Sequence, residues 1–272
     1  MRFIVKGGKP LRGEITASGS KNAALPIIAA TLLTSEECMI ENVPDIEDIR
    51  TMLDIMEHLG SKWSFSGTTL TIQTSTIKTT KIPSDLVKKM RASILLIGPM
   101  LARMKEVEIG YPGGCVLGKR PIDTHLGAFQ ALGVTLREEE DRFLLNAKEA
   151  KAGKVILKEI SVTATENLLL FASGLRGETE IRLAAVEPHV QDLCRFLNAL
   201  GIFSRGEGTH VITVSGGTAV HGCRHRVTSD YLEIGTMAIA AAATCGDVLI
   251  RDVHRHHLHS LWQKLEEAGV IL

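Results

Sequence analysis

Gly60, Gly133, Gly201 and Gly269 fall 73, 68 and 68 residues apart, and each closes an amphipathic segment: "IRTMLDIMEHLG", "THLGAFQALG", "VQDLCRFLNALG" and "LHSLWQKLEEAG". Glycine just past a last helical turn accepts the left-handed conformation in which helices commonly stop. Each amphipathic segment is preceded by a small-residue apolar helix ("SGSKNAALPIIAATLL", "SDLVKKMRASILLIGPML", "SVTATENLLLFASGL", "SDYLEIGTMAIAAAAT") and a short strand ("ECMIENV", "VEIGYP", "ETEIRLA", "DVLIRDV"). Hairpins follow the first three: "SKWSFSGTTLTIQT", "VTLREEEDRFLLNA" and "IFSRGEGTHVITVSG". A βαβαββ-like unit is thus repeated at near-constant spacing, which dictates a repeat architecture.

Two irregularities stand out. From the short strand's isoleucine to the closing glycine, the first and third copies take 20 residues and the fourth 19, but the second, Ile109 to Gly133, takes 24. The excess sits in "GYPGGCVLGKRPIDTH", and an insertion in one repeat usually marks a loop on the working face. The fourth copy stops at "GVIL", one strand into its hairpin, which reads as a chain cut short. The opening "MRFIVKGGKPLRGEI" alternates like a strand and lacks the apolar core of a signal peptide, so a cytoplasmic location is expected.

Composition narrows the function classes. Lys and Arg total 31 and Asp and Glu total 31, so neither nucleic acid nor an anionic membrane is called for as a partner. No apolar run reaches the ~20 residues that span a bilayer. Five scattered cysteines without a C-x-x-C pair point to reduced thiols rather than a disulfide frame or zinc ribbon. His254, His256, His257 and His259 fit no metal-binding spacing and read as a polar loop. The tip "REEEDR" reads as a solvated charge run.

Cys115 carries the chemistry in the odd loop. Two glycines precede it and Lys119 and Arg120 follow, an arrangement that keeps the sulfur accessible and favours its thiolate. Arg120 suits bidentate contact with phosphate or carboxylate. Lys21 follows a capping candidate, Ser20, at a helix N-terminus, where a cation is electrostatically misplaced but an anion is welcome. Asn22 reads as a second cap or a ligand hydrogen-bonder. Arg91 sits where a polar helix face turns apolar, and Asp123 reads as an N-cap. Ser161, Val162 and Thr163 open the third apolar helix with hydroxyls and free N–H groups, a further anion cradle.

The words "SGSKNAALP", "VKKMRAS", "PGGCVLGKRPIDTH" and the "SV" at 161–162 resemble the UDP-N-acetylglucosamine 1-carboxyvinyltransferase family of enolpyruvyl transferases. The sister family acting on 3-phosphoshikimate shares the repeat but lacks the cysteine loop. The resemblance implies an inverted α/β barrel of βαβαββ units, apolar helices inside and sheets outside. Residues 22–226 would form one complete three-unit domain, and 1–21 with 227–272 part of a second. Six units would need roughly 410 residues, so a C-terminal segment is expected to be missing.

The implied reaction moves the enolpyruvyl group of phosphoenolpyruvate to the 3-hydroxyl of UDP-N-acetylglucosamine, with no cofactor and no metal. The resemblance gives Cys115 the proton transfer or an adduct, and Lys21 and Arg120 the phosphate and carboxylate, supported by Arg91. Asn22, Pro121, Ile122, Asp123, Thr124, His125, Ser161, Val162 and Thr163 would hold the UDP-sugar. Thr163 stands where the family usually has glycine, Leu95 replaces a common tryptophan and Tyr231 a common arginine. "AAVEPHV" lacks the usual arginine before Glu-Pro, and the general base would lie in the missing part. A non-catalytic UDP-sugar-binding or interaction module is the alternative of another class.

Overall fold

The structure, a computed structural model, describes residues 2, 4, 6–113 and 122–272. The chain divides into two bodies, Lys21–Val227 and a smaller one of Met1–Ser20 with Thr228–Leu272.

The first strand, β1 (Arg12–Thr16), belongs to the smaller body. In the larger body the first copy comprises α1 (Lys21–Ala30), β2 (Cys38–Glu41), α2 (Glu47–Leu59) and the hairpin β3 (Lys62–Ser66)–β4 (Thr69–Gln73). The second contains α3 (Ser84–Lys89), a 3₁₀ turn (Arg91–Leu96), α4 (Ile97–Met104), β5 (Glu106–Gly110), α5 (Asp123–Ala131), β6 (Thr135–Glu138) and β7 (Arg142–Asn146). The third contains β8 (Lys154–Ile156), α6 (Val162–Ala172), β9 (Gly177–Arg182), α7 (Pro188–Ala199), β10 (Phe203–Arg205) and β11 (Val211–Gly216). After β12 (Arg224–Arg226), the smaller body resumes with α8 (Tyr231–Ala243), β13 (Asp247–Arg251) and α9 (His259–Glu267); β13 pairs parallel with β1.

Helices and sheets divide the work of burial. Every residue of α1 from Ala23 to Ala30 is buried, as is every residue of α6 from Ala164 to Ala172. A helix apolar on all sides can only be satisfied in the centre of a fold. The hairpin strands instead alternate buried with part-exposed positions, the mark of a sheet with one face on the core and one in water. Gly60, Gly133, Gly201 and Gly269 all take positive φ, 85° to 115°, as helix-terminating glycines should.

Each sheet of the larger body gains a parallel segment from the stretch that precedes an apolar helix. β8 pairs parallel with β9, and Lys81 bridges to Glu108 of β5 in the same sense. The third copy hands β12 back to β2 of the first, with Arg224 opposite Met39. This cyclic exchange closes three copies on themselves. It also sets the thiols of Cys38 and Cys223 side by side. The hydrogen bond from Cys223 holds Cys38 below the ordinary thiol range, and the same contact pushes Cys223 upward.

Three local expectations are corrected. The helix expected across residues 84–101 is broken: Met90 is extended (φ −138°, ψ 121°) and a 3₁₀ turn intervenes before α4. Pro99 sits in the first turn of α4, where a missing N–H costs no helical hydrogen bond. Among the described residues the alternating opening forms a strand only at Arg12–Thr16, and Arg2 and Ile4 lie outside it. Ser20 does not cap: its Oγ is buried and makes no hydrogen bond among the described residues. The charge run at 137–142 lies at the surface as expected, with Arg142 pairing to Glu139 at 2.8 Å and Glu108 at 2.9 Å.

Candidate active site

Three N-terminal ends converge in the larger body. α1 begins at Lys21, the 3₁₀ turn at Arg91 and α6 at Val162, and together they wall a cavity of about 700 Å³. Lys21, Asn22, Leu25, Asp48, Lys88, Lys89, Met90, Arg91, Ala92 and Thr163 line it. Four cations face one carboxylate, and the N-termini of α1 and α6 add partial positive charge. An anion is the ligand such a cavity suits.

Local sequence explains how these groups reach it. The extended Met90 separates α3 from the following turn, so Lys88, Lys89 and Arg91 all reach one wall. Pro26 has no N–H and leaves the carbonyl of Asn22 without its helical donor. Lys21 Nζ lies 3.0 Å from Asp48 Oδ2, in the first turn of α2, which answers its misplacement at a helix N-terminus.

Both described ends of the odd loop are fixed next to this cavity. Gly113 donates its N–H to the Val87 carbonyl at 3.1 Å and lies so close to Lys88 that an added Cβ would stand 1.7 Å from the Lys88 carbonyl oxygen. Only glycine fits there. At the other end, α5 brings His125 Nε2 to 3.0 Å from Thr163 Oγ1. Cys115, Arg120 and Pro121, which the sequence places between these anchors, lie outside the described residues.

The remaining sequence-derived candidates separate. Lys21, Asn22, Arg91 and Thr163 are brought together on the cavity wall; Ile122, Asp123, Thr124, His125, Ser161 and Val162 are not among its lining residues. Asp123 is the first residue of α5 rather than its cap, which is Ile122. Thr124 is buried and donates to Glu159 at 3.1 Å. His125 is only 3% exposed, with both ring nitrogens engaged, so it supports the wall from behind instead of facing a ligand. Burial, reinforced by the charge of Arg91, pushes its pKa down to about 4. Ser161 caps α6, its Oγ accepting from the Ala164 N–H at 3.4 Å.

Sequence reasoning missed Lys88, Lys89 and Asp48 as cavity residues. The lysine pair stood in the quoted "VKKMRAS" and could have been weighed with Arg91. Asp48 gave no local signal, because only tertiary packing brings α2 to α1. A second cavity, in the smaller body, is lined by Ala241, Val248, Leu249 and Trp262 among others and holds none of the candidate residues. No metal-binding cluster of His, Cys, Asp or Glu occurs among the described residues, and no described helix is long and apolar enough to cross a membrane.

Comparison with known proteins identifies the fold and the family. Residues 5–272 match the family model of EPSP synthase (3-phosphoshikimate 1-carboxyvinyltransferase). UDP-N-acetylglucosamine 1-carboxyvinyltransferase 1 of Carboxydothermus hydrogenoformans is 44% identical over 271 residues, covering all of this chain and 64% of the relative. The UDP-N-acetylglucosamine 1-carboxyvinyltransferase of Methylacidiphilum infernorum is 41% identical, over 98% of this chain and 64% of its own length. The chain therefore spans just under two thirds of these relatives. Among solved structures, the enolpyruvyl transferase NikO from Streptomyces tendae superposes with a TM-score of 0.84 at 23% identity, over 97% of this chain and 64% of that one. An EPSP synthase from Acinetobacter baumannii gives 0.76 at 20% identity, over 98% and 61%. Identities this low speak for the fold alone, and the fold is that of the enolpyruvyl transferases, as the sequence resemblance implied. With its model matched over nearly the whole length, the chain belongs to the EPSP synthase (3-phosphoshikimate 1-carboxyvinyltransferase) family.

Proposed function

We propose that this chain carries the phosphoenolpyruvate side of an enolpyruvyl transfer site whose acceptor is the 3-hydroxyl of UDP-N-acetylglucosamine, a cytoplasmic step in making peptidoglycan precursors. The observation that supports it best is the cavity of four cations flanked by both anchors of the Cys115 loop. Phosphoenolpyruvate brings a phosphate and a carboxylate, and preorganised cations stabilise such charge most where water is excluded. The curated relatives at 41% and 44% identity favour the UDP-sugar as acceptor over 3-phosphoshikimate.

In this reading the sugar oxygen adds to C2 of phosphoenolpyruvate while a proton is delivered to C3. Loss of a C3 proton and of phosphate then restores the double bond on the transferred group. Cys115 supplies the C3 proton or holds the three-carbon unit as an adduct. Lys21 and Arg120 neutralise the phosphate and carboxylate, Arg91 supports them, and Asn22 offers its side-chain amide to the sugar nucleotide. Pro121, Ile122, Asp123, Ser161 and Val162 complete the nucleotide's surroundings.

The test is acceptor-dependent phosphate release from phosphoenolpyruvate by the protein at its natural length. UDP-N-acetylglucosamine should support release and shikimate 3-phosphate should not. Release with shikimate 3-phosphate alone would transfer the chain to the sister activity, and release with neither would overturn the enzymatic reading.

A further inference from the structure

The return of β12 to β2 brings together two thiols, neither of which lines the cationic cavity. Arg224 pairs in parallel with Met39, His225 with Ile40 and Arg226 with Glu41. One step earlier in this register, Cys223 stands beside Cys38. Side chains alternate along a strand, so Cys38 shares the core face of β2 with the buried Ile40. Both thiols are free, and they hydrogen-bond to each other. Cys38 is buried and Cys223 is partly exposed, so the pair has one sulfur that a small solute can reach.

Backbone contacts hold the two residues together. The Met39 N–H donates to the Cys223 carbonyl at 2.9 Å, and the His221 N–H donates to the Leu200 carbonyl at 3.1 Å. Gly222 donates its N–H to Glu36 Oε2 at 2.9 Å. A Cβ added to Gly222 would stand 2.1 Å from the Glu37 carbonyl oxygen, so the segments that enter β12 and β2 lie against each other with no room for a side chain. Opposed residues on neighbouring strands have Cα atoms about 5 Å apart, within the span of a disulfide.

We propose that Cys38 and Cys223 form a redox modification site, a dithiol that a peroxide converts to a disulfide and a small thiol restores. One sulfur takes an oxygen as the O–O bond breaks, leaving a sulfenic acid and water. The other sulfur attacks it: the S–S bond forms, the S–O bond breaks, and hydroxide leaves with the remaining thiol proton as a second water. The pair gives up the electrons that reduce the peroxide. The bond would enclose residues 39–222, nearly all of the larger body, and make covalent the seam at which the third copy closes on the first. A loop of that length restricts the unfolded chain strongly, so the oxidised form gains stability.

The experiment treats the full chain with graded hydrogen peroxide, alkylates it with iodoacetamide, and maps its tryptic peptides by mass spectrometry without reductant. The Cys38 and Cys223 peptides should appear joined by a disulfide that dithiothreitol reverses. Urea unfolding should shift upward by about 1 M or more on oxidation and return on reduction. Cys223→Ser, at the partly exposed position, should abolish both the linked peptide and the shift; Cys38→Ala should do the same, with circular dichroism reporting whether this core change still folds. Cys38 and Cys223 recovered unlinked after oxidation, either one linked to another cysteine, or an upward shift that persists in Cys223→Ser would overturn the proposal. A linked peptide with no change in the unfolding midpoint would overturn the claim that the bond secures the seam.

Discussion

Lys21 Nζ and Asp48 Oδ2 stand 3.0 Å apart, joining the N-terminal ends of α1 and α2 at the mouth of the cationic cavity. Both side chains remain close to half exposed, so the pair contributes little to stability, within ~0.5 kcal/mol. Its weight is electrostatic. Lys21→Ala should lower affinity for inorganic diphosphate about tenfold or more, since a charge-assisted contact is lost. Asp48→Asn should raise it, by removing the one carboxylate that competes for Lys21. Calorimetry on the two variants checks the opposite signs, and weakening by both would mean that Asp48 serves to position the lysine.

His125 predicts a pH dependence. Its pKa falls from 6.5 to about 4 on folding, burial being the main cause and Arg91 the second, so the unfolded chain binds the extra proton in that window. Stability from this group is fully present above pH 6.5 and is lost as pH falls toward 4, by on the order of 3 kcal/mol. Urea unfolding at pH 7 and pH 4.5 should show the loss in wild type and a shallower one in His125→Gln.

Glu166 acts in the opposite direction. It is buried on α6, Oε1 lacks a hydrogen-bond partner among the described residues, and burial, followed by the charge of Glu187, raises its pKa well above the ordinary carboxyl range. The folded state therefore holds a proton that the unfolded state releases, and stability declines as pH rises toward the raised pKa. Glu166→Gln should stabilise at pH 8 by on the order of 1–3 kcal/mol, with the gain shrinking toward pH 5. Equal effects at both pH values would mean that the carboxyl is not kept neutral by the fold.

Arg103 provides a test of packing between copies. Its guanidinium donates to the carbonyls of Leu32 and Thr34 at 2.9 Å, of Thr74 at 2.8 Å and of Ser75 at 3.1 Å, tying α4 of the second copy to the first. Arg103→Ala should cost roughly 2–4 kcal/mol in chemical denaturation, because several carbonyls lose their donor together. Arg103→Lys should recover only part of that, as an ammonium cannot span the same fork.

These relationships show where sequence was informative. The four closing glycines announced their helix ends because left-handed φ is a local requirement that glycine meets without steric cost. The central placement of α1 was readable from its run of small apolar residues, and that of α6 from its Leu-Leu-Leu-Phe-Ala half, though not the burial of Thr165, Glu166 and Asn167. The break at Met90 was not, since "SDLVKKMRASILLIGPML" has helical periodicity throughout and no local residue marks the interruption, beside which Gly113 packs on Lys88. Cys38 and Cys223 looked scattered because only the return of β12 to β2 makes them neighbours. His125 resembled a ligand residue by its place after the loop, yet the turn of α5 points it toward Thr163 and Asn167. A residue's side of a helix is set by packing that a motif does not record.

The most direct measurement of the central claim uses fosfomycin, an epoxide phosphonate that resembles phosphoenolpyruvate. A thiolate held beside a phosphate-binding cavity should open the epoxide, forming a carbon–sulfur bond while the ring oxygen takes a proton. Peptide mapping by mass spectrometry should find the adduct on Cys115 and on none of the other four cysteines. Lys21→Ala should slow its formation about tenfold or more while leaving iodoacetamide labelling of Cys115 unchanged. Modification of Cys38, Cys194, Cys223 or Cys245 in preference to Cys115, or a rate indifferent to Lys21, would contradict the assignment of the cavity and the loop to one site.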